Sequence, residues 1–363
     1  MKIAFLHHSF ILGSGTDSLI YQYAKRLGKR HEVEVLCFRT DYKESENFKI
    51  SKVDIPFGDT RLGSGVFAPL LLPYRSLRQS LEQFDVVVTM LYPASLVPIG
   101  LGTKWVHIEW GVPEGLWLSW KERVYVQLAK LAGRVACKKA DLVLTPSIYI
   151  DNWVLRHYGI HGERMYLDGI DFKLFNIDEH KSGNTPNILF VGRLSPHKNI
   201  ETLIKAFGLV RSEIPNATLT IVGSHPFTSY YRSLLELVEQ LQLEGVVSFE
   251  GVVSWESLPR YYAACAVFVS PSLWEGFMRC EAYAMGKPMV GFGCTSAPQT
   301  LNEGGISLSG LNFGSPESLA WPIIHLLLNK TRADRLGREG YEWAKTNLDL
   351  DIIVDNLEEV LSR

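Results

Sequence analysis

The sequence predicts an α/β protein built from two doubly wound domains. Its 363 residues exceed one ordinary hydrophobic core, and chains of this length usually divide into domains. Short apolar runs alternate with amphipathic helical stretches, which is typical of parallel sheets covered by helices on both faces. The alternation stops at a polar stretch with glycine and proline, residues 178–186, and then starts again, as expected of a linker. We therefore expect two Rossmann-like domains that face each other across a cleft.

The first half begins with a predicted strand at Ile3–His7, followed by a loop and then by a helix from about Asp17 to Gly28. Apolar residues recur along this second stretch at helical spacing. Further apolar runs predict the other strands of this half, Val33–Phe38, Asp85–Thr89, Trp105–Ile108 and Asp141–Thr145. We assign residues 1–180 to this domain.

The second half repeats the pattern. Its apolar runs predict strands at Asn187–Val191, Thr218–Val222, Val246–Phe249, Ala266–Ser270 and Pro288–Gly291. Helical spacing predicts helices at Asn199–Arg211, Tyr231–Gln242, Thr331–Lys345 and Leu350–Leu361. We assign residues 181–349 to this domain, and the final helix, 350–363, either ends it or returns to the first domain.

Composition narrows the class of protein. Apolar residues make up 46% of the chain and charged residues 21%, which is typical of a globular protein and not of a disordered one. The formal net charge of −2 argues against nucleic acid as a partner, because such proteins carry a basic excess. Five scattered cysteines without metal-ligand spacing indicate reduced thiols in the cytoplasm. No stretch approaches the roughly 20 apolar residues of a membrane span, so we expect a soluble or peripheral protein.

The segment Val191–Asn199 places two cations, Arg193 and Lys198, between the end of a strand at Gly192 and the start of a helix. Arginine offers a planar fork for phosphate oxygens and lysine a mobile point charge. Such donors stabilise the charge that develops on a departing diphosphate. The alternative is a pair of ordinary surface charges beside a helix start.

The segment Ser270–Ala282 also leads from a strand into a helix, and it carries Glu275 and Glu281. The two carboxylates can face one ligand only if Glu275 lies in the loop and Glu281 on the helix. Gly276 permits the bend that this requires. Carboxylates accept hydrogen bonds from the paired hydroxyls of a sugar. The alternative is that Glu281 is a first-turn charge favoured by the helix dipole.

These segments resemble the large retaining glycosyltransferase family 4. The resemblance is carried by VGRLSPHKNIETLIKAF from residue 191 and by PSLWEGFMRCEAYAMGKP from residue 271. It extends to ADLVLTPS from residue 140 and DGIDFKLF from residue 168, and it covers nearly the whole chain. The family implies the GT-B fold, with donor bound by the C-terminal domain, acceptor bound by the N-terminal domain, and neither cofactor nor metal required.

The resemblance also implies roles for individual residues. Arg193 and Lys198, after Gly192, would hold the donor diphosphate, and Glu281 would bind the ribose hydroxyls. Glu275 with Gly276 and Phe277 would face the transferred sugar. The family usually places seven residues between the two glutamates, whereas this chain has five, 276–280. Glu275 therefore either reaches the sugar by a different path or has an altered role.

Three further candidates lie in the first half. Ser14–Asp17 resembles the family's Gly-Gly-x-Glu turn with its first glycine replaced, and Gly15 would let the backbone approach the pyrophosphate. His107 resembles the family's active-site histidine near the reacting sugar, and Glu109 would shape the acceptor side. The alternatives are a commonplace loop for Gly15 and a core histidine for His107.

An aromatic stretch, 116–120, is followed by six cations up to Lys139. This pattern favours either a helix on an anionic membrane surface, where a lipid-linked acceptor is met, or a packed helix with a solvated face. The first interpretation predicts peripheral contact with the inner face of the membrane.

The predicted reaction is transfer of a hexose from a UDP- or GDP-linked donor to a saccharide or lipid-linked acceptor, with retention at the anomeric carbon. Surface polysaccharide or glycolipid synthesis is the setting that the family implies. Two alternatives stay open: an epimerase or phosphorylase on the same fold, and a non-catalytic partner that binds nucleotide sugar or scaffolds an active glycosyltransferase.

Overall fold

The computed structural model describes residues 1–11, 15–53, 75–90, 92–112, 120–180, 183, 185–275, 280–293, 301–303, 305–308 and 314–363, without the side chains of residues 75, 76, 120–122 and 308. The described part forms two compact units. The first comprises Met1–Asp168 with Asp351–Arg363, and the second comprises Gly169–Leu350.

The first unit contains a seven-stranded sheet with the order β3-β2-β1-β4-β5-β6-β7. All of its strand pairs are parallel. Its strands are β1 (Lys2–Phe10), β2 (Glu32–Thr40), β3 (Lys49–Lys52), β4 (Val86–Thr89), β5 (Lys104–Ile108), β6 (Leu142–Thr145) and β7 (Glu163–Arg164). Its helices are α1 (Gly15–Leu27), α2 (Arg75–Leu81), α3 (Trp120–Lys139) and α4 (Ile148–Tyr158).

The second unit contains a six-stranded sheet with the order β10-β9-β8-β11-β12-β13, also parallel throughout. Its strands are β8 (Asn187–Val191), β9 (Thr218–Val222), β10 (Val247–Gly251), β11 (Val267–Ser270), β12 (Met289–Phe292) and β13 (Gly305–Leu308). Its helices are α5 (Ile200–Glu213), α6 (Thr228–Gln240), α7 (Leu258–Ala264), α8 (Glu281–Ala284), α9 (Pro316–Leu328) and α10 (Lys330–Asn347), and a last helix, α11 (Leu350–Ser362), follows.

Buried apolar residues explain these elements. In the second unit the buried strand residues Phe190, Leu219 and Val269 pack with Phe207 of α5 and Ile323 of α9 in one core. Burial on this scale removes the apolar face of each helix from water, which is the main source of its stability. Two parallel, helix-covered sheets confirm the predicted α/β fold class.

Helix α11 joins the first unit through charges at the end of α1. Arg26 Nε lies 2.7 Å from Asp351 Oδ1, and Arg30 lies 2.7 Å from Asp355 and 2.6 Å from Glu358. The apolar side of the helix, which includes Ile353, Leu357 and Leu361, is buried. Helix α11 therefore belongs to the first unit.

In both sheets the spatial order of the strands reverses at one point. Chain order runs outward from β1 to β3 and then restarts on the other side of β1 with β4, and β8 and β11 meet in the same way. Ligands of doubly wound sheets bind outside the carboxyl ends of the strands at such a switch point. In the second unit the loops at this point begin at Gly192 and Pro271, where both predicted motifs lie.

Candidate active site

The loop after β8 is held by the loop after β9. Gly192 donates its backbone N–H to Val222 at 2.9 Å, and Leu194 donates to Ser224 at 2.8 Å. Gly223 has φ +146°, and a Cβ built there would lie 1.9 Å from the carbonyl oxygen of Gly192. Only glycine fits this position, so the cationic loop starts from a backbone with little freedom to shift.

The loop then makes a 3-10 turn, Pro196–Lys198, and ends at Asn199 in the left-handed conformation, with φ 55° and ψ 44°. Asparagine adopts this conformation more readily than most residues. The buried amide of Asn199 donates to the carbonyl of Pro271 at 3.2 Å. The N–H of Leu273 donates to the carbonyl of His197 at 2.8 Å. The two predicted motif loops are therefore bound directly to each other.

Lys198 and Glu275 form an ion pair where these loops meet. Lys198 Nζ lies 2.5 Å from Glu275 Oε1, and the side chains are 19% and 13% exposed. A charge-assisted bond this short and this well shielded from water is stronger than a surface ion pair. The pairing gives Glu275 a partner that neither the motif nor its shortened spacing indicates.

The cationic character of the first loop extends beyond Lys198. Arg193 lies on the same loop and is exposed. Burial, followed by the charges of Lys198 and Arg193, lowers the pKa of His197 to about 3. At neutral pH His197 is therefore uncharged, and the positive charge of the loop comes from Arg193 and Lys198.

Glu281 is the first residue of α8 and is buried. Its helix follows the loop that begins at Pro271, so Glu275 lies in the loop and Glu281 on the helix, which is the arrangement that a shared ligand requires. Gly276 and Phe277, predicted to face the sugar, lie outside the described residues.

In the first unit, the end of β1 and the start of α1 are joined by a buried pair that sequence reasoning missed. His7 Nε2 lies 2.8 Å from Asp17 Oδ1, and Ile11 donates its backbone N–H to Asp17 Oδ2 at 2.8 Å. Gly15, predicted to approach the pyrophosphate, is the exposed first residue of α1. The signal for the pair was present, since Asp17 occupies the position of the acid in the family's turn. Burial and the neighbouring His7 lower the pKa of His8 to about 3.

His107 lies within β5 and is 1% exposed. Its Nδ1 is 2.9 Å from Thr89 Oγ1, which also accepts a hydrogen bond from Trp105 Nε1 at 2.8 Å. Its Nε2 is 3.6 Å from Glu109 Oε2. This burial favours a role for His107 in positioning its neighbours, and the predicted contact with a sugar stays a prediction.

Glu109 follows β5 and points inward. Its Oε1 accepts the backbone N–H of Gly111 at 2.7 Å, and Cys137 Sγ on α3 lies 3.7 Å from its Oε2. A Cβ at Gly133 would lie 2.7 Å from the same oxygen, so glycine leaves room for the carboxylate against α3. Burial, together with Glu109, raises the pKa of Cys137 well above its usual range.

Within the described ranges, His107, Glu109 and Cys137 are the group whose ligand atoms lie close enough to hold a metal ion, all within 4.8 Å of one another. Within this group Cys137 donates a hydrogen bond to Glu109 Oε2, whereas His107 Nε2, at 3.6 Å from the same oxygen, is beyond hydrogen-bond distance. The described part of the chain includes no helix long and apolar enough to cross a membrane.

The predicted residues thus fall into two groups. Arg193, Lys198 and Glu275 lie on two contacting loops of the second unit, and Glu281 follows them. His107 and Glu109 form a second, buried group in the first unit. The chemistry of the first group is that of a cationic site with carboxylates beside it, suited to an anion that also carries hydroxyl groups.

Two family models match the chain side by side. Glycosyltransferase Family 4 matches residues 13–167, and Glycosyl transferases group 1 matches residues 172–343. A GDP-mannose-dependent alpha-(1-6)-phosphatidylinositol monomannoside mannosyltransferase from Mycobacterium tuberculosis is 27% identical over 242 residues. That alignment covers 61% of this chain and 61% of the relative. The O-antigen chain mannosyltransferase B of Escherichia coli is 35% identical over 125 residues, 32% of this chain and 31% of the relative.

Solved structures share the fold over the whole chain. Sucrose-phosphate synthase from Thermosynechococcus elongatus superposes with a TM-score of 0.81 at 20% identity, covering 99% of this chain and 98% of that one. Anabaena HepE, solved in complex with UDP and glucose, gives a TM-score of 0.79 at 21% identity, covering 100% and 99%. These likenesses confirm the GT-B fold, and the two family matches show that the chain belongs to the family 4 glycosyltransferases.

Proposed function

We propose that the chain is a retaining glycosyltransferase that transfers a hexose from a UDP- or GDP-linked donor to a saccharide or lipid-linked acceptor. Surface polysaccharide or glycolipid synthesis is the proposed setting. The observation that carries the proposal is the pair of contacting loops at the β8–β11 switch point, which are joined by Asn199 and Pro271 and carry Arg193 and Lys198. The names of the relatives support both donor types, since one is GDP-mannose-dependent and one neighbour was solved with UDP and glucose.

In the proposed reaction the nucleotide diphosphate is the leaving group. Arg193 and Lys198 bind the diphosphate and stabilise the negative charge that grows on it as the bond to the sugar breaks. The acceptor hydroxyl attacks from the face that the diphosphate leaves, and its proton passes to the departing phosphate. Configuration at the anomeric carbon is thereby retained.

The other predicted residues have supporting roles. Glu281 binds the ribose hydroxyls, and Gly276 and Phe277 face the sugar. Gly15 lets the start of α1 approach the pyrophosphate. The burial of His107 and Glu109 supports a role in holding the chain after β5, on the acceptor side. The reaction is proposed to need no metal ion, and turnover unchanged by a chelator is the expected result.

Turnover of a nucleotide sugar tests the proposal. A thermal-shift panel of UDP, GDP, ADP and their sugars identifies the donor, because a ligand of the folded state raises the melting temperature. Arg193→Ala and Lys198→Ala should then each lower turnover by about 100- to 1000-fold. Lys205→Ala, which removes an exposed lysine of α5, is the matched control. Full activity in either loop variant would contradict the assignment.

A non-catalytic partner that binds nucleotide sugar is the second candidate. The observation that favours it is the ion pair of Glu275 with Lys198, which engages a residue that the family uses at the sugar. Tight donor binding without turnover or donor hydrolysis, across a panel of saccharide and lipid-linked acceptors, would support this candidate over the transferase.

We extend the proposal to the location of the protein, which we expect to be cytoplasmic with peripheral contact at the inner face of the membrane. A lipid-linked acceptor carries its reactive sugar at that surface. Fractionation of cells into soluble and membrane pools, followed by a high-salt wash of the membranes, tests this location. Release of bound protein by salt is expected of peripheral contact.

A further inference from the structure

The outward face of α3 carries a line of exposed apolar side chains. Val124, Leu128, Leu131 and Val135 are all exposed, and their spacing of four, three and four residues places them on one face of the helix. We call these four residues the α3 ridge. Tyr125 is exposed beside it.

The opposite face of α3 already supplies the contacts that hold the helix in its unit. Val126, Ala129, Ala132 and Ala136 on that side are buried. The helix is therefore apolar on two sides, whereas a helix at the surface of a soluble protein usually has one apolar face and one polar face. Core packing accounts for the buried side, whereas the α3 ridge packs into no core among the residues that the structure describes.

Positive charge flanks the ridge. Helix α3 contains six lysines and arginines and a single carboxylate, Glu122, although the whole chain has a formal net charge of −2. Arg123, Arg134 and Lys138 are exposed. At 100° per residue they lie on one side of the ridge, within about 120° of Leu131.

This charge decides between the surfaces that could cover the ridge. A second copy of α3 would bring two rows of cations together, and like charges across an interface oppose association. An anionic surface complements the same row. An apolar stripe with cations along its edge is the pattern of helices that lie in a bilayer interface.

We propose that the α3 ridge inserts into the interface of an anionic phospholipid bilayer, with Arg123, Arg134 and Lys138 at the level of the lipid phosphates. The inference deepens the proposed function and rests on it for its purpose, because a lipid-linked acceptor is met at that surface. The binding itself depends only on the described surface of α3.

Co-sedimentation of the full chain with vesicles tests the apolar part of this surface. The vesicles are phosphatidylcholine alone or phosphatidylcholine with about 30% phosphatidylglycerol. Leu131→Glu places a charge at a ridge position that is 62% exposed, and we expect binding to the anionic vesicles to fall about tenfold or more. Leu328→Glu is the matched control, since Leu328 of α9 is 70% exposed in the other unit. Val124→Glu is a second ridge variant, should Leu131→Glu fold poorly.

The charged part is tested with Arg134→Gln and Lys138→Gln. Each cation near an anionic membrane contributes about a fivefold change in binding, so the double variant should bind the anionic vesicles about 25-fold more weakly. Lys330→Gln, at an exposed lysine of α10, should bind like the wild type. Equal binding of the wild type to both kinds of vesicle would overturn the proposal, as would absence of binding to either.

Sedimentation velocity separates the lipid surface from a contact between copies. We expect the wild type and Leu131→Glu to have the same oligomeric state. A wild-type dimer that Leu131→Glu converts to monomer would assign the ridge to a second copy and overturn the proposal. Stabilisation by nucleotide, measured on both proteins, reports the donor site independently, so loss of vesicle binding and loss of donor binding are distinguishable.

Discussion

Replacing Glu275 by glutamine separates two roles of this residue. The resemblance to family 4 places its carboxylate at the transferred sugar, whereas the structure pairs it with Lys198 at 2.5 Å. If the diphosphate binds Lys198, the carboxylate of Glu275 both competes for the ammonium group and repels the phosphates. Glu275→Gln keeps the shape of the side chain and removes its charge. We therefore expect this variant to bind the free nucleoside diphosphate more tightly than the wild type.

The size of the effect follows from the exposure of the pair. Exposed ion pairs are worth about 0.2–1 kcal/mol, and breaking a buried pair costs about 3–5 kcal/mol. Side chains that are 19% and 13% exposed lie between these limits, so we expect about 1–3 kcal/mol. A change of about 1.4 kcal/mol is tenfold in affinity, and the lower end of the range corresponds to about fivefold tighter binding.

Isothermal titration calorimetry with UDP or GDP measures this affinity. Glu213→Gln is the matched control, because it removes the same charge from the far end of α5, about 20 Å along the helix from Lys198. Turnover of the nucleotide sugar by Glu275→Gln should fall if the carboxylate also contacts the sugar. Weaker binding of the free nucleotide by Glu275→Gln than by the wild type would refute the reasoning.

Three further predictions concern the stability of the two units. Gly223→Ala should lower the free energy of unfolding by about 2 kcal/mol or more, because φ is +146° and a Cβ would meet a carbonyl oxygen at 1.9 Å. Gly208→Ala, on the open side of α5, is the control and should raise the free energy of unfolding by about 0.5–1 kcal/mol. Differential scanning calorimetry compares the two variants. Asp17→Asn should destabilise the protein by about 1–3 kcal/mol, because His7 stays buried and loses the carboxylate that it contacts. An unchanged melting temperature would contradict this. Burial gives His197 and His8 pKa values of about 3 in the folded protein. Below pH 6.5 the unfolded chain therefore binds more protons than the folded one, and lowering the pH from 6.5 to 5.5 should reduce the free energy of unfolding by about 1 kcal/mol for each histidine. A pH series of melting temperatures that stays flat over this range would argue against both.

Most of the strands that the sequence predicts are largely buried, and the half-buried edge strand β10 is the exception. Val86–Thr89 and Val267–Ser270 are continuous apolar runs and are entirely buried, which is the pattern of central strands in a parallel sheet. The strands that sequence reasoning missed are β3, β7 and β13. Two of them, with the sequences KISK and ER, are polar and half-buried or exposed. Edge strands bury less surface, so their apolar signal is weak.

For the candidate site, too, the sequence identifies some features and only the structure identifies others. Arg193, Lys198, Glu275 and Glu281 could be named from sequence, because each lies in a short motif directly after a strand. Their arrangement could not, since the Lys198–Glu275 pair joins residues 77 positions apart. The inward direction of Glu109 depends on Cys137 and on Gly133 of α3, which no local pattern indicates.

Sequence alone determined the class of fold, the order of most strands and helices along the chain, and the residue types available for binding a diphosphate. These properties depend on local hydrophobic periodicity and on motifs of fewer than about 20 residues. The tertiary structure decided which charges meet, which carboxylate lies inside, and which unit holds the final helix. Those outcomes depend on contacts between residues distant along the chain, and such contacts form only when the sheets assemble.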